Sequence, residues 1–593
     1  MTARRIPLGQ QRGPADPRPV ERAGRSRRSA AAWAIATAAL LGLYAPAALE
    51  GQAAAQVFDI LISGGRVIDG SGNPWFRADV GIVGDRIVAV GDLAGADAER
   101  TIDAAGRLVV PGFIDLHTHA DEGLDSEDPT RRAAPNLVSQ GITTVVVNQD
   151  GRSPWPIGAQ RETLERLGIG PNAILMVGHN TIRMRALGPE FRRLATPEEI
   201  REMRAMIAQG MQEGAFGLSG GLEYVPSRWS DTEEVVELVT ETGLHGGLFV
   251  VHERSSGVTP MWYWPSQDDP GPPTMLETIL EDIEVAERTG VTVVATHIKA
   301  RGANFWGSGQ ALIHFIERAR SRGVPIFADQ YPYNTTGSDG NTVLLPLWAL
   351  EIELDDEGRS GESRDFTEPL RSVLDDPARK AALEGDIAHE ITRRGGAENL
   401  IVMDHPDPGL VGRALAEIAA DADVSPVEMA IRIQLNGYAD RPGGARIRGF
   451  SLSELDVEAF AAQPWVATAS DAGIALPGDG PVHARYYGTF PRKIREYAIE
   501  RGILSVEDAV RSATSLPAQI LGLKDRGWIR EGYRADVTIL DLDRLRDRAT
   551  FFEPHQYAEG VDFVVVNGEV LVEAGKVTSR LPGRVLTRAD GDG

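Results

Sequence analysis

Eight times between residues 111 and 525, an apolar run gives way to a loop and then, in most cases, to an amphipathic helical stretch. No other feature constrains the fold of this chain as strongly. The runs end at His119 and continue with GITTVVVN (141–148), NAILMVGH (172–179), GAFGLSGGLE (214–223), GLFVVHE (247–253), VTVVATH (291–297), VPIFADQY (324–331) and WVATASD (465–471). Between them lie segments such as TPEEIREMRAMIAQGMQEG and TMLETILEDIEVAERTG, the first opening on Thr196 three residues ahead of Glu199 in capping-box order. Strands alternating with helices in this way imply an α/β fold, a parallel (β/α)8 barrel. Residues 337–463 interrupt the rhythm between the last two strands and read as an insertion that could cover the barrel mouth.

The flanks differ. VFDILISGGRVIDG, ADVGIVGDRIVAVG and ERTIDAAGRLVVPG precede the barrel, while GYRADVTILD and VDFVVVNGEVLVEAGKVT follow it. Short β-branched runs bounded by glycine read as antiparallel strands. The two ends are therefore expected to form one small β-sandwich domain, from 56–110 and 526–593, around a barrel spanning 111–525.

Residues 1–55 are a separate object. Arginines 4, 5, 12, 18, 22, 25, 27 and 28 precede an alanine-rich apolar run from Ala30 to Leu49, and small residues follow at QAAAQ. This is the order of a bacterial export signal with cleavage after Ala55, and SRRSAAAWA weakly resembles a twin-arginine signal. The expected location is the periplasm. The alternative is an uncleaved membrane anchor, because about 20 apolar residues can span a bilayer. With cleavage, no stable membrane insertion is expected.

The chain contains no cysteine and carries a formal charge of −24. Disulfides, thiolate zinc sites and cysteine nucleophiles are excluded. An acidic chain without a basic stripe argues against a nucleic-acid partner. Histidines, in contrast, collect at strand ends: His117 and His119 close strand 1, His179 strand 3, His252 strand 5 and His297 strand 6, with Asp471 closing strand 8. Barrel active sites lie at that end of the strands. Imidazoles and carboxylates gathered there suit a zinc-like divalent ion, and a carboxylate beside such an ion can take a proton from water and pass it to a leaving group. Asp471 suits that role.

HxH after strand 1, single histidines after strands 5 and 6, and aspartate after strand 8 resemble the amidohydrolase superfamily. GITTVVVN, MVGHNTIR, GLSGGLEYVP, ATHIK, YPYNTT, SDAG, GTFPR and GWIREGYRADVTILD are similar to the D-aminoacylase (N-acyl-D-amino-acid deacylase) branch, over residues 57 to 580. The resemblance implies a metal-dependent hydrolase barrel that cleaves the amide of N-acyl-D-amino acids with one or two zinc ions. It implies that His252 and His297 hold the tight site, His117 and His119 a second site, and that Asp471 is a metal ligand and the general base. It further implies that Lys299, Tyr331 and Arg485 contact the substrate carboxylate. His483 could bind substrate or shape its own loop.

Two departures stand out. Where the family carries NCG after strand 2, whose cysteine bridges the metals, this chain reads NQDG at 148–151; after the strand-5 histidine it reads HERSSG. An oxygen must replace the cysteine. Asp150 aligns nearest, whereas Glu223 after strand 4 has the longer stem and is the favoured bridging ligand. Alternatives for the whole chain are a cyclic amidase such as a hydantoinase or dihydroorotase, a dipeptidase, or a non-catalytic binding module. The lysine that cyclic amidases carry after strand 4 is absent from GLSGGLEYVP.

Overall fold

The computed structural model describes residues 57–337, 341–352 and 364–588. Residues 1–55, where an export signal is expected, lie outside them. Among the described residues no helix is long and apolar enough to cross a membrane.

The eight apolar runs form eight parallel barrel strands. Strand 1 is Phe113–Asp115 continued by Thr118–His119, strand 2 Ile142–Val146, and strand 3 Asn172–Ile174 continued by Val177–Gly178. Strands 4 to 7 are Gly217–Gly221, Leu248–His252, Val293–Ala295 and Ile326–Gln330, and strand 8 is Val466–Thr468 continued by Ala472–Gly473. Each pairs with the next, and Ala472–Gly473 pairs in parallel with Thr118–His119 to close the ring. Side-chain alternation sorts each strand between two cores. On strand 5, Leu248 and Val250 enter the barrel interior with Val146, Val294 and Ala467, while Phe249 and Val251 face the surrounding helices. Burying each such side chain contributes about 1.5–3 kcal/mol, which is why these runs carry apolar residues on both faces.

Helix starts are fixed locally. The Glu199 amide donates to Thr196 Oγ1 at 3.3 Å and the Thr196 amide donates back to Glu199 at 2.7 Å, closing the capping box that opens Pro197–Gln212.

The terminal segments join as expected, but as one continuously bonded nine-stranded sheet rather than two. Phe58–Val67 bends it by pairing with Ala98–Asp103 along its first half and with Leu108–Pro111 at its end. Leu108–Pro111 then pairs antiparallel with Val537–Leu540, stitching the two chain ends together. A buried polar knot fastens this sheet to the barrel: Arg526 pairs with Asp536, the Asn567 amide donates to Asp536 at 2.8 Å, and the Asn567 side chain donates to Asn172 on strand 3 at 2.8 Å.

Between strands 7 and 8 the insertion builds its own apolar core, from Leu344, Leu370, Leu383, Ile387, Leu400, Leu415, Ile433 and Ile447 among others. Its longest helix is Pro377–Arg393.

Candidate metal and catalytic site

Ring closure brings the ends of strands 1 and 8 side by side, with the Asp471 amide donating to the His117 carbonyl at 2.9 Å. His119 Nε2 lies 3.1 Å and His117 Nε2 3.8 Å from Asp471 Oδ1. Asp150 completes the cluster from strand 2. Its Oδ1 lies 3.5 Å from His117 Nε2, 3.4 Å from His252 Nδ1 and 3.6 Å from His297 Nε2, while Oδ2 lies 3.6 Å from His119 Nε2. Two overlapping three-residue groups result, His117–His119–Asp471 and His117–Asp150–His297, and in each the candidate ligand atoms lie within 4.8 Å of one another. His117 belongs to both.

The local backbone is bent to achieve this. Asn148, Asp150, His297 and Asp471 all have positive φ, at 64°, 56°, 37° and 50°. Such conformations cost about 1–3 kcal/mol each and persist where surrounding structure holds them. Glycines make room: a Cβ on Gly221 would lie 2.1 Å from the Asp150 carbonyl oxygen, so only glycine lets the 148–151 turn pack against strand 4. On strand 6 the inward residue is Val294, and simple alternation would turn His297 outward; its left-handed φ brings it back.

The donor set fits a cation. His117 Nδ1 and Nε2, Asp150 Oδ1 and His252 Nδ1 are buried with no hydrogen-bond partner among the described residues. Buried polar atoms without partners are costly, and three of these, His117 Nε2, Asp150 Oδ1 and His252 Nδ1, meet around one space and mark a place for an ion. Burial opposes charge on both outer imidazoles. Even so, the Asp471 hydrogen bond and the Asp150 charge push His119 up to about 9, and the Asp150 charge with the Glu223 hydrogen bond pushes His252 up to about 9. Burial holds His117 well below its ordinary range, and burial with the Lys299 charge pushes His297 down to about 4. Asp150 and Asp471 stay well below the ordinary carboxylate range despite burial, through the charges of His252 and Arg485 respectively.

Glu223 does not bridge. Its Oε2 lies 2.9 Å from His252 Nε2, on the side of the ring away from Asp150, and its Oε1 accepts from the Met261 amide at 2.5 Å and from Arg301 at 3.3 Å. The expectation for Glu223 as a metal ligand is therefore corrected. Its carboxylate is spent on orienting His252, so the neutral ring keeps its proton on Nε2 and turns Nδ1 toward the cluster. Asp150 occupies the position between the two groups.

Arg485 Nη1 bonds Asp471 Oδ2 at 2.8 Å and its guanidinium lies over the Tyr331 ring at 4.6 Å, leaving Nε without a partner. Lys299 Nζ lies 2.6 Å from His297 Nδ1. These three expected residues are thus gathered at the cluster. His483 is not available to a substrate: its Nδ1 accepts from the Arg485 amide at 2.9 Å and its Nε2 faces the Thr335 carbonyl at 3.2 Å, so it shapes the loop that presents Arg485. The strand-end His179 is structural, bonded to Glu234 at 2.9 Å beside Arg183. Sequence reading missed Arg301 and Asp329, which receives the His297 amide at 2.6 Å. Arg301 had a signal, since His297, Lys299 and Arg301 continue a two-residue alternation off strand 6.

Two expectations follow from this geometry. Asp150→Asn should abolish zinc binding and activity, whereas Glu223→Gln should keep the site but weaken zinc about 10–100-fold, as loss of a ligand's supporting partner does; stoichiometry and affinity measured side by side decide it, and equal loss in both would contradict the assignment. At pH 7 His119 and His252, both near 9, hold protons that ligation must expel. Zinc affinity should therefore climb between pH 7 and 9, with about two protons released at pH 7 when both histidines become ligands, measurable by calorimetry in buffers of different ionisation enthalpy. A flat affinity over that range would refute it.

The chain resembles known proteins over most of its length. A profile described as the amidohydrolase family matches residues 100–242 and 390–572. D-aminoacylase of Alcaligenes xylosoxydans xylosoxydans is 32% identical over 560 residues, covering 91% of this chain and 99% of that one. N-acyl-D-glutamate deacylase of the same organism is 33% identical over 553 residues, covering 89% and 96%. Among solved structures, D-aminoacylase aligns with a TM-score of 0.67 at 31% identity, over 90% of this chain and all of that one. The zinc- and phosphonate-bound N-acyl-D-glutamate deacylase of Bordetella bronchiseptica aligns with 0.68 at 28%, over 90% and 100%. D-hydantoinase, at 16% identity and 0.51, shares the fold. With its ring of eight parallel strands, its histidine–aspartate cluster at their C-terminal ends and these matches along nearly its whole length, the chain belongs to the amidohydrolase family.

Proposed function

We propose that this protein is a metal-dependent hydrolase of linear amides that removes the acyl group from N-acyl-D-amino acids. The observation that carries the reading is Asp150 Oδ1, set 3.4–3.6 Å from nitrogens of three buried histidines on three strands. Such a cluster suits one or two zinc ions, held by His117, His119, Asp150, His252, His297 and Asp471. When bound, zinc supplies Lewis acidity that polarises a carbonyl and makes water a stronger nucleophile at neutral pH.

The remaining steps belong to the chain. Lys299, Tyr331 and Arg485 hold the substrate carboxylate, with the unpartnered Nε of Arg485 free to donate. Asp471 takes a proton as water oxygen adds to the acyl carbon. It returns that proton to the nitrogen as the carbon–nitrogen bond breaks, releasing a carboxylate and a free amino acid. Arg485 is shared between Asp471 and the arriving carboxylate, so binding loosens the ion pair that keeps Asp471 a weak base. Relatives named D-aminoacylase and N-acyl-D-glutamate deacylase support the substrate class and the D configuration.

Asp471→Asn should retain the fold and lower kcat by about 10²–10⁴. Wild-type protein should release amino acid from N-acetyl-D-amino acids faster than from the L forms or from carboxamide-blocked substrates. Equal rates on free and blocked acids would sink the substrate assignment. We also propose export to the periplasm, supported by the arginine-rich stretch and apolar run before Ala55. Cell fractionation with N-terminal sequencing tests it; a cytoplasmic chain retaining residues 1–55 would overturn it.

A further inference from the structure

The helix Pro377–Arg393 of the insertion turns one polar face toward the barrel: Asp386, His389 and Arg393, at i, i+3 and i+7. The opposite face, with Leu383, Ile387 and Ile391, joins the core of the insertion. Each residue of the polar face grips the loop that follows strand 5. Asp386 accepts from the Ser266 amide at 3.0 Å and from its hydroxyl at 2.6 Å, and is itself held by the Trp348 indole N–H at 2.8 Å. His389 Nε2 lies 3.2 Å from Thr259 Oγ1, with its ring edge-on to Tyr263 at 5.7 Å. Arg393 donates to the Pro260 carbonyl at 2.6 Å, pairs with Glu390, and lies over the Trp264 ring at 5.6 Å. Asp386, Glu390 and Arg393 are all buried.

That loop leads directly to the candidate metal site. Met261, next to the gripped Pro260, gives its amide to Glu223, and Thr259 gives its carbonyl to Arg301 at 3.1 Å, whose guanidinium also reaches Glu223. Glu223 in turn orients His252. A continuous chain of hydrogen bonds thus runs from the insertion helix to one imidazole of the cluster.

We propose that Asp386, His389 and Arg393 are positioning residues for His252: the insertion fixes the Thr259–Ser266 loop, the loop fixes the Glu223 carboxylate, and Glu223 sets the angle at which Nδ1 of His252 faces the other ligands. The insertion is in this sense part of the metal site. This rests on the metal-hydrolase reading above.

The test measures zinc affinity of the full-length protein by competition with a chromophoric chelator, together with kcat on an N-acetyl-D-amino acid. Asp386→Ala, His389→Ala and Arg393→Ala should each weaken zinc by about tenfold, toward the loss in Glu223→Gln, and excess zinc should restore most of the activity. Because the effect passes through Glu223, combining Asp386→Ala with Glu223→Gln should cost no more affinity than Glu223→Gln alone, whereas independent structural damage would add. Wild-type affinity in all three alanine variants, or additive losses in the double variant, would overturn the inference while leaving the hydrolase reading intact. A wild-type protein that takes up no zinc and hydrolyses no amide would overturn both.

Discussion

The parallel pairing of Ala472–Gly473 with Thr118–His119 joins the last barrel strand to the first, and the functional geometry depends on it. Without that closure, His117 and Asp471 would belong to opposite edges of an open sheet. With it, residues more than 350 positions apart in sequence face each other at hydrogen-bond distance. Closure also leaves no exposed barrel edge, and it gathers the strand ends so that side chains from strands 1, 2, 5, 6 and 8 converge on one space.

What converges there is electrostatically awkward in the absence of an ion. Several imidazole nitrogens and a carboxylate oxygen are buried without partners, and the histidines divide into two with raised and two with lowered pKa values. Burial alone would leave all four neutral; the acids Asp150, Asp471 and Glu223 charge the two they touch most closely. A divalent cation resolves this in one step, replacing mobile protons with a fixed charge shared among the same ligands. The backbone strain at Asp150, His297 and Asp471 serves the same end, because ordinary strand geometry would aim these side chains elsewhere.

The surrounding polar groups divide the remaining work. Glu223, braced by Arg301, and Asp329 hold site histidines from behind. Arg485, fixed by His483 and stacked on Tyr331, pairs with Asp471. The insertion extends the supporting layer outward through the tryptophan-bearing loop, so a segment with its own core has a bearing on the angle of a single ring.

Much of this was legible in the chain itself. Apolar runs alternating with capped amphipathic helices point to buried parallel strands wrapped by helices, and eight of them in succession suit a closed barrel. His252 could be placed from alternation alone, in phase with the inward Leu248 and Val250. The choice between Asp150 and Glu223 could not. Both follow strand ends and both could reach inward; Glu223 had the longer stem, yet the Met261 amide and Arg301, from loops remote in sequence, draw it behind His252. Asp150 turns inward only because its left-handed backbone is held against Gly221 of a neighbouring strand. Likewise His483 reads as a candidate substrate contact until the Thr335 carbonyl and Arg485 amide are seen to occupy its ring. The sequence determined which residues arrive at the mouth of the barrel, because strand periodicity and chain order are local properties. Which way each one points there was decided only by tertiary structure, because loop dihedrals and competing hydrogen-bond partners are set by segments far away in the chain.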